Sequence, residues 1–346
     1  MSQSAITPHH AADSLDHDRP SRAAPTEHSG RESTTRKPTA TRRRTGLLAR
    51  VSRDRTLLLF AAPGLALLLL FHYLPLLGNV IAFQNYLPFL GVGGSEWVGF
   101  DNFAVLFSGD PAFLNALKNT LLLALIQSVF VFPIPIVLAL ALNSLLSQRM
   151  ARLVQSVLLL PHFLSWVIVV ALFQEILGGS GAVNHIIAQM GGHGVNFLTD
   201  PHTFFGVIAS QAVWKDTGWA SILFLAALSQ ISSELYEASS VDGASRFRQL
   251  WHVTLPGLRS VIILLFILKL GDSLSIGFEQ IVLQQNAVGR TASEVLDTYV
   301  YNNGLINGDW GMSAAVGLVK GIVGVVLVVG ANKVAHIFGE PGVYQR

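Results

Sequence analysis

Six long apolar segments constrain the fold of this chain more than any other feature of its sequence. They lie at about residues 57–83, 119–146, 156–177, 204–231, 258–282 and 311–337. A helix of about 20 apolar residues crosses the roughly 30 Å hydrocarbon core of a bilayer, and each segment reaches that length. Only 13% of the residues are charged, whereas soluble domains contain about 25%. The sequence therefore predicts an all-α membrane protein with six transmembrane helices.

The basic residues are distributed unevenly, and their positions indicate the orientation of the segments. Eleven of the 23 Lys and Arg residues precede Thr56, and the loops after the first, third and fifth segments carry only Lys118 and Arg290 among them. Since Lys and Arg concentrate in cytoplasmic loops, we expect both termini in the cytoplasm. The stretch 232–257, which joins the fourth and fifth segments, is then the second cytoplasmic loop.

Residues 1–55 differ in composition from the rest of the chain. They are rich in Ser, Thr, Pro, His and Arg and contain few large apolar side chains, so we expect a disordered, basic cytoplasmic tail. The tail is too long and too polar for a secretory signal. It has none of the aromatic interleaving of a nucleic-acid-binding arm, and we expect it to lie near anionic lipid instead. Residues 56–346 are predicted to form the six-helix domain.

The loop at 232–257 is too polar for the bilayer and has a regular pattern of its own. The pattern predicts two short helices joined at Gly243, with Asp242 capping the second and Pro256 ending it where the fifth segment begins. The second helix is predicted to present an apolar stripe of Phe247, Leu250 and Trp251. These features fit an interfacial helix on lipid and a rigid projection that inserts into a partner's groove about equally well.

The spacing within this loop resembles the EAA loop of importer-type ABC permeases, in which Glu-Ala-Ala is followed after three residues by Gly and after nine more by Ile-x-Leu-Pro. Here Glu237-Ala238-Ser239, Gly243 and Val253-Thr254-Leu255-Pro256 match every spacing, with Ser239 in place of Ala and Val253 in place of Ile. We call residues 232–257 the EAA segment.

The resemblance covers about residues 57–346 and is closest to carbohydrate permeases related to the lipoprotein and polysaccharide transport group. Further residues that carry it are Pro75, Ala82-Phe83, Trp97-Val98-Gly99, Asn119-Thr120, Pro161-His162-Phe163, Trp214-Lys215-Asp216-Thr217-Gly218-Trp219, Gly277-Phe278-Glu279-Gln280 and Asp297-Thr298-Tyr299-Val300-Tyr301.

The resemblance implies a type I importer permease in a bacterial cell membrane that translocates a sugar or oligosaccharide. It implies as partners a second homologous permease, two ATP-binding subunits and an extracytoplasmic sugar-binding protein. The sequence has no Gly-x-x-x-x-Gly-Lys-Ser/Thr loop, so we expect ATP and Mg²⁺ to be bound by the partner subunits and no cofactor, metal or catalytic site in this chain. By the resemblance, the residues that couple it to the ATPase are Glu237, Ala238, Ser239, Asp242, Gly243, Phe247, Leu250, Leu255 and Pro256.

Charged residues within the apolar segments are candidates for the translocation path, because charge is costly in a bilayer and is retained mainly for function. Sugars also need aromatic faces and hydrogen-bonding partners. The candidates are Trp166, Trp214, Lys215, Asp216, Trp219, Asp272, Phe278 and Glu279. As structural alternatives, Lys215 could pair with Asp216, and Asp272 with Lys320. His162 lacks a second ligand at useful spacing and is expected to be hydrogen-bonded rather than metal-bound.

Two other classes of function leave different signals. A secondary transporter acting without ATPase partners is the alternative to an ABC permease, and it predicts inverted repeats with paired broken helices; no internal repeat is found in the sequence. An intramembrane enzyme would need a nucleophile with a base, or a metal cluster. The sequence has no cysteine, no His-Glu-x-x-His and no Gly-x-Ser-x-Gly motif.

Overall fold

The computed structural model describes residues 55–145, 147–340 and 342–344. The predicted tail at 1–55 therefore lies outside the described residues, except for Arg55, which begins the first helix. Tertiary contacts divide the chain into two units, residues 1–63 and residues 64–346. All of the candidate site described below lies in the second unit.

Almost all regular structure in the described residues is helical, as the sequence predicts. One antiparallel pair of strands, β1 (Gln84–Asn85) and β2 (Glu96–Trp97), places Gln84 opposite Trp97 and Asn85 opposite Glu96. The α-helices are α1 (Arg55–Leu68), α2 (Leu74–Leu77), α3 (Gly91–Gly94), α4 (Pro111–Ile126), α5 (Pro133–Asn143), α6 (Gln148–Leu159), α7 (Trp166–Leu177), α8 (Ala182–Gln189), α9 (Pro201–Leu228), α10 (Ser233–Val241), α11 (Arg246–Gln249), α12 (Leu255–Gly271), α13 (Phe278–Val282), α14 (Gln285–Val288), α15 (Arg290–Ser293), α16 (Leu296–Val300) and α17 (Trp310–Ile337). Segments of 3₁₀-helix occupy Gly78–Phe83, Asp101–Leu106 and Leu160–Phe163.

Three of the four π-helical turns in the described residues precede a proline inside a long helix; the fourth, Tyr301–Ile306, does not. A proline lacks the backbone N–H of the regular ladder, and its ring clashes with the carbonyl four residues earlier. A π-turn shifts the ladder to the fifth residue and so relieves this clash. Three such turns precede Pro75, Pro133 and Pro256: Leu69–Tyr73, Gln127–Val131 and Leu250–Thr254. The helix through Pro256 consequently runs unbroken from Arg246 to Gly271, and the prediction that Pro256 ends a helix is wrong.

Five helical stretches of the described residues are long and apolar enough to cross a membrane. They are Leu59–Phe83, Pro111–Asn143, Trp166–Gln189, Arg246–Gly271 and Trp310–Ile337. The 28-residue helix α9 is long enough as well, but polar residues such as Lys215 and Asp216 interrupt its apolar sequence, and it is not among the five. The count of six spans therefore stays a prediction.

Two predicted segments are not single helices. The segment 156–177 is broken after Leu160–Phe163, where Leu164 is extended and the Ser165 side chain caps α7 by accepting from the N–H of Ile168. The segment 258–282 is broken after Gly271, and α13 begins only after Gly277, whose φ is +74°. The Ser165 cap and the positive φ of Gly277 set where the next helices, α7 and α13, begin.

Helix α9 lies at the centre of the unit 64–346 and packs against α5, α6, α7, α12 and α15. Its first half contributes Phe204 and Ile208 to a buried cluster, and its second half contributes Phe224, Ala227 and Leu228 to another. Because lipid tails are as apolar as these side chains, the packing is stabilised by close van der Waals contact rather than by escape from water.

A third buried cluster joins α4, α16 and α17 and includes Phe113, Tyr299 and Val316. Burial raises the pKa of the Tyr299 hydroxyl, and the nearby Asp110 carboxylate raises it further. The hydroxyl therefore stays protonated and donates to Asp110 Oδ2 at 3.2 Å. The same carboxylate oxygen caps α4 by accepting from the N–H of Phe113.

Candidate functional site

The EAA segment folds as two helical arms joined by a tight turn, as predicted. Helix α10 starts where Ser232 Oγ accepts from the N–H of Glu234 at 3.2 Å, and it ends before Gly243, whose φ is +75°. The N–H of Ala244 donates to Ser239 O at 2.9 Å across this turn. A left-handed residue followed by such a bond is the usual way in which glycine closes a helix.

Ser245, and not Asp242, caps the second arm. Its hydroxyl accepts from the N–H of Arg248 at 3.4 Å, while Asp242 lies at the end of the first arm. The predicted capping role of Asp242 is therefore wrong. The glycine turn occupies Gly243 and Ala244, so the second helix begins only after Ser245. Its first free N–H groups therefore lie beside the Ser245 side chain, three positions later than predicted.

Side-chain hydrogen bonds hold the two arms together. Tyr236 Oη lies 3.0 Å from Thr254 Oγ1, and Gln249 Nε2 donates to Ser239 Oγ at 3.1 Å and to Ser240 Oγ at 2.8 Å. Ser239 occupies the position at which the EAA loops that this segment resembles have alanine. The serine therefore adds a contact between the arms that an alanine side chain does not provide.

The tip of the EAA segment presents apolar side chains and a carboxylate to the outside. Phe247 is 70% exposed and Val241 is 88% exposed, and the rings of Phe247 and Trp251 lie 6.2 Å apart, edge to face. Glu237 is exposed on the same arm as Val241 and has no hydrogen-bond or ion-pair partner among the described residues. Such a face is suited to a groove on another protein.

The remaining predicted coupling residues divide between this tip and the interior. Ala238, Asp242 and Pro256 are exposed, whereas Leu250 and Leu255 are half-buried. Leu250 and Phe247 both line a groove of about 880 Å³ between the EAA segment and the C-terminal end of α5, and Leu250 is the more buried of the two.

A pocket of about 230 Å³ lies between α7, α9, α12 and α13. Five of the eight predicted path residues line it: Trp166, Asp216, Asp272, Phe278 and Glu279. Gln127, Lys269 and Gln280 also line the pocket and were missed from the sequence. Lys269 could have been identified from the sequence, because it is a charged residue within the predicted segment 258–282, just as Asp272 is.

Lys215 does not line this pocket, and both structural ion pairs considered from the sequence are wrong. The Lys215 side chain is buried, and its Nζ donates to His162 O at 2.7 Å and to Leu164 O at 2.5 Å. These carbonyls end a helical run, where the partial negative charge of the backbone favours a cation. Asp216 Oδ1 instead lies 2.9 Å from His162 Nδ1, and Lys320 pairs with Asp297.

The two remaining predicted aromatic residues pack outside the pocket. Trp219 stacks on the His162 ring with centroids 4.7 Å apart, and Trp214 meets Phe173 edge to face at 6.0 Å. The hydrogen-bonded role predicted for His162 is confirmed. Among the described residues, no group of three or more His, Cys, Asp or Glu side chains is arranged to hold a metal ion.

Three buried glutamines fasten α13 to α9 and were also missed from the sequence. Gln280 Nε2 donates to Gln211 Oε1 at 2.7 Å, and Gln211 and Gln284 exchange two hydrogen bonds of 3.0 Å each. All three side chains are at most 5% exposed. Because buried amides are costly when unpaired, this network fixes α13 and so places Phe278 and Glu279 at the pocket.

Comparison with known proteins identifies a matching family and two similar proteins. A family model described as "Binding-protein-dependent transport system inner membrane component" matches residues 131–338. Protein LplB of Bacillus subtilis strain 168 is 45% identical over 298 residues, which cover 86% of this chain and 93% of LplB. The polygalacturonan/rhamnogalacturonan transport system permease protein YteP of the same organism is 45% identical over 303 residues, which cover 87% of this chain and 94% of YteP.

A chain of known structure resembles this protein over nearly the whole length of the known chain. A chain in the crystal structure of a bacterial alginate ABC transporter, in complex with an alginate pentasaccharide-bound periplasmic protein, superposes with a TM-score of 0.79 at 35% sequence identity. The match covers 86% of this chain and 99% of that chain. The backbone arrangement described above is therefore shared with a transporter subunit.

Proposed function

Because this chain belongs to the family of binding-protein-dependent transport system inner membrane components, we propose that it is the permease subunit of an ATP-driven importer for a sugar or oligosaccharide. It is a multi-pass membrane protein of the ABC importer permease fold. The saccharide substrate is supported by YteP, which is named for polygalacturonan and rhamnogalacturonan transport, and by the alginate transporter that shares the fold. We assign the chain to a bacterial cell membrane.

The observation that carries the proposal is the exposed tip of the EAA segment. Phe247 and Val241 are among its most exposed side chains, and the arms behind them are locked by the hydrogen bonds of Gln249 and Tyr236. A rigid, apolar projection with the free carboxylate of Glu237 is suited to a cleft of an ATP-binding subunit. Two such subunits bind ATP and Mg²⁺, one on this chain and one on a second homologous permease.

The pocket lined by Trp166, Asp216, Lys269 and Glu279 is the section of the translocation path that this chain supplies. Its carboxylates, amides and aromatic faces supply the hydrogen-bonding and stacking groups that a hydroxyl-rich solute needs. ATP-driven closure of the partner subunits moves the EAA segment. Because Arg246–Gly271 is one continuous helix, that movement reaches Lys269 at the pocket directly.

We expect saccharide uptake to require both ATP and an extracytoplasmic binding protein. The measurement uses proteoliposomes that contain this chain, its partner permease and the ATP-binding subunits, with radiolabelled saccharide on the binding protein. Omitting the ATP-binding subunits should abolish uptake. Uptake that proceeds without them, driven by an ion gradient alone, would identify the chain as a secondary transporter and contradict the proposal.

We expect six spans with both termini inside, and the chain suits a direct test because it contains no cysteine. Single cysteines replace Ser33 in the tail, Ser233 in α10 or Ser108 in the loop before α4; Ser108 and Ser233 are exposed. In intact cells, a membrane-impermeant maleimide should label the Ser108→Cys protein alone. The other two proteins should react only after the membrane is opened. Labelling of Ser233→Cys in intact cells would reverse the orientation.

A further inference from the structure

A loop rich in aromatic residues follows the first span, and the structure holds it in one position. We call residues 84–103 the aromatic loop. It begins with β1 at Gln84, directly after the span ends at Phe83. Near its other end, the Asn102 side chain donates to Ala82 O at 3.0 Å and to Gln84 O at 2.9 Å. Both ends of the aromatic loop are therefore tied to the end of the span.

One face of the aromatic loop presents large apolar side chains that the described residues leave uncovered. Phe89 and Phe100 are each at least 75% exposed. Trp97 is also exposed, and it stacks on Phe83 with ring centroids 5.7 Å apart. The aromatic face therefore continues directly from the last residue of a membrane span. Contiguous apolar surface of this kind is uncommon where a protein faces water alone.

Packing against α17 places the aromatic loop at the boundary of the bilayer. A Cβ at Gly311 would overlap the carbonyl oxygen of Gln84, so the loop begins beside the first turn of α17. This helix has 28 residues and is about 42 Å long, which matches a bilayer with its headgroups, about 40–45 Å, rather than the hydrocarbon alone. Its first turn, and the aromatic loop beside it, therefore lie at headgroup level.

The same packing indicates which leaflet the aromatic loop meets. The opposite end of α17 lies near the EAA segment, where Phe338 O accepts from Arg259. Because the EAA segment is predicted to be cytoplasmic, the aromatic loop meets the outer leaflet.

The charges of the aromatic loop do not suit attraction to anionic lipid. Residues 84–103 include Glu96 and Asp101 but no Lys, Arg or His, and both carboxylates are exposed. Aromatic side chains favour the membrane–water boundary through their apolar rings, whatever the charge of the lipid. Contact with lipid would therefore depend on apolar side chains and be insensitive to salt.

We propose that the aromatic loop is a membrane anchor that lies along the outer leaflet, with Phe89, Trp97 and Phe100 inserted between the lipid headgroups. Its depth and its continuity with the span favour lipid as the partner, because a binding protein approaches from the water above this level. The anchor holds the outer ends of the first span and α17 at one depth. The inference rests on the membrane location of the family and not on the saccharide assignment.

The test uses single cysteines, since the chain contains none of its own. Phe89→Cys and Phe100→Cys each carry the fluorophore NBD in the complex of this chain with its partner subunits, which are freed of reactive cysteines. The complex is reconstituted in liposomes without the binding protein. Phosphatidylcholine with a nitroxide near its headgroup should quench both labels, equally in zwitterionic and anionic liposomes and at low and high salt.

The matched control is His193→Cys, which is exposed in the predicted outer loop 178–203 and has glycines on both sides. Its label should be quenched by aqueous iodide and not by the nitroxide lipid. Iodide should reach the labels at Phe89 and Phe100 about tenfold less readily than this control, because a phenylalanine-sized side chain prefers apolar surroundings by at least about that factor.

Three results would overturn the inference while leaving the proposed transport function intact. If iodide quenches the two labels and the nitroxide lipid does not, the aromatic face lies in water, and protection by added binding protein would identify it as a protein docking surface. If neither agent quenches them, the face is covered by a partner subunit. If the nitroxide quenches only in anionic liposomes or only at low salt, the attachment is electrostatic and apolar insertion is wrong.

Discussion

Gly218→Ala is expected to remove most of the folded protein from the membrane. Gly218 lies in the middle of α9, and a Cβ there would overlap the backbone carbonyl of Leu158 and come within 2.9 Å of the N atom of Leu159. The backbone atoms of a helix cannot move one at a time, so the end of α6 and the middle of α9 would have to separate. Overpacking of this kind costs about 3 kcal/mol, a large part of a typical domain's stability.

The separation would also break a polar contact of the same helix face. Lys215 precedes Gly218 by one turn, and its ammonium group reaches His162 O and Leu164 O only because the two backbones approach closely. A buried ammonium group without partners adds a further penalty. The measurement is the yield of protein in the membrane together with the Tm of the purified complex in detergent.

Gly206→Ala is the matched control for this prediction. Gly206 lies in the same helix, and a Cβ at that position meets no atom within 4 Å. Alanine favours helix over glycine by about 1 kcal/mol, so this variant should have an unchanged or slightly higher Tm. Equal yields and Tm values for Gly218→Ala and Gly206→Ala would contradict the close packing of α6 on α9.

Glu237→Ala and Gly243→Val are each expected to reduce uptake strongly while the protein still inserts and assembles in the membrane. Glu237 is exposed and has no partner within the described chain, so its loss should not affect folding. In the proposed complex its carboxylate is paired with the ATP-binding subunit, and truncating a desolvated charged contact costs about 2 kcal/mol or more. We expect ATP-dependent uptake to fall by about tenfold or more.

The glycine acts through backbone geometry. A Cβ at Gly243 meets nothing within 4 Å, but its φ of +75° disfavours an L side chain by about 1–2 kcal/mol, and most of all a β-branched one. Valine should therefore turn the second arm away from the first. Asparagine tolerates this conformation best after glycine, so Gly243→Asn should keep most of the uptake that Gly243→Val loses.

The control for the charge is Glu234→Ala, which removes an exposed carboxylate from the first turn of the same helix. The assay is saccharide uptake and ATP hydrolysis by the reconstituted importer, normalised to the amount of assembled complex. Wild-type uptake in Glu237→Ala, or equal losses in Glu237→Ala and Glu234→Ala, would show that Glu237 has no special part in coupling.

Several features of the fold could be predicted because they depend on residues close in sequence. The last span, predicted at 311–337, is observed as α17 (Trp310–Ile337), since a long apolar run sets its own helix length. The two arms of the EAA segment meet at Gly243 as predicted, because a positive φ is a local requirement that glycine satisfies. Membership of the permease family likewise followed from the spacing of Glu237, Gly243 and Pro256.

Other predictions failed where a local pattern permits more than one outcome. Pro256 was expected to end a helix, but a π-turn over Leu250–Thr254 lets the helix continue. Asp242 and Ser245 are both good capping residues, and the exact length of the glycine turn selects Ser245. Both broken segments are apolar enough overall to be predicted as single helices, and only the structure shows the breaks after Phe163 and Gly271.

The sequence by itself determined the all-helical membrane fold, the position of the EAA segment and the candidate charges in the apolar segments. Only the tertiary structure decided which charges meet. Lys215 and Asp216 are neighbours in the chain, yet successive side chains of a helix point about 100° apart, so Lys215 reaches the carbonyl of Leu164 while Asp216 faces the pocket. Asp216, Lys269 and Glu279 line one pocket because α7, α12 and α13 all pack against the same region of the fold around α9, and no sequence spacing records that arrangement.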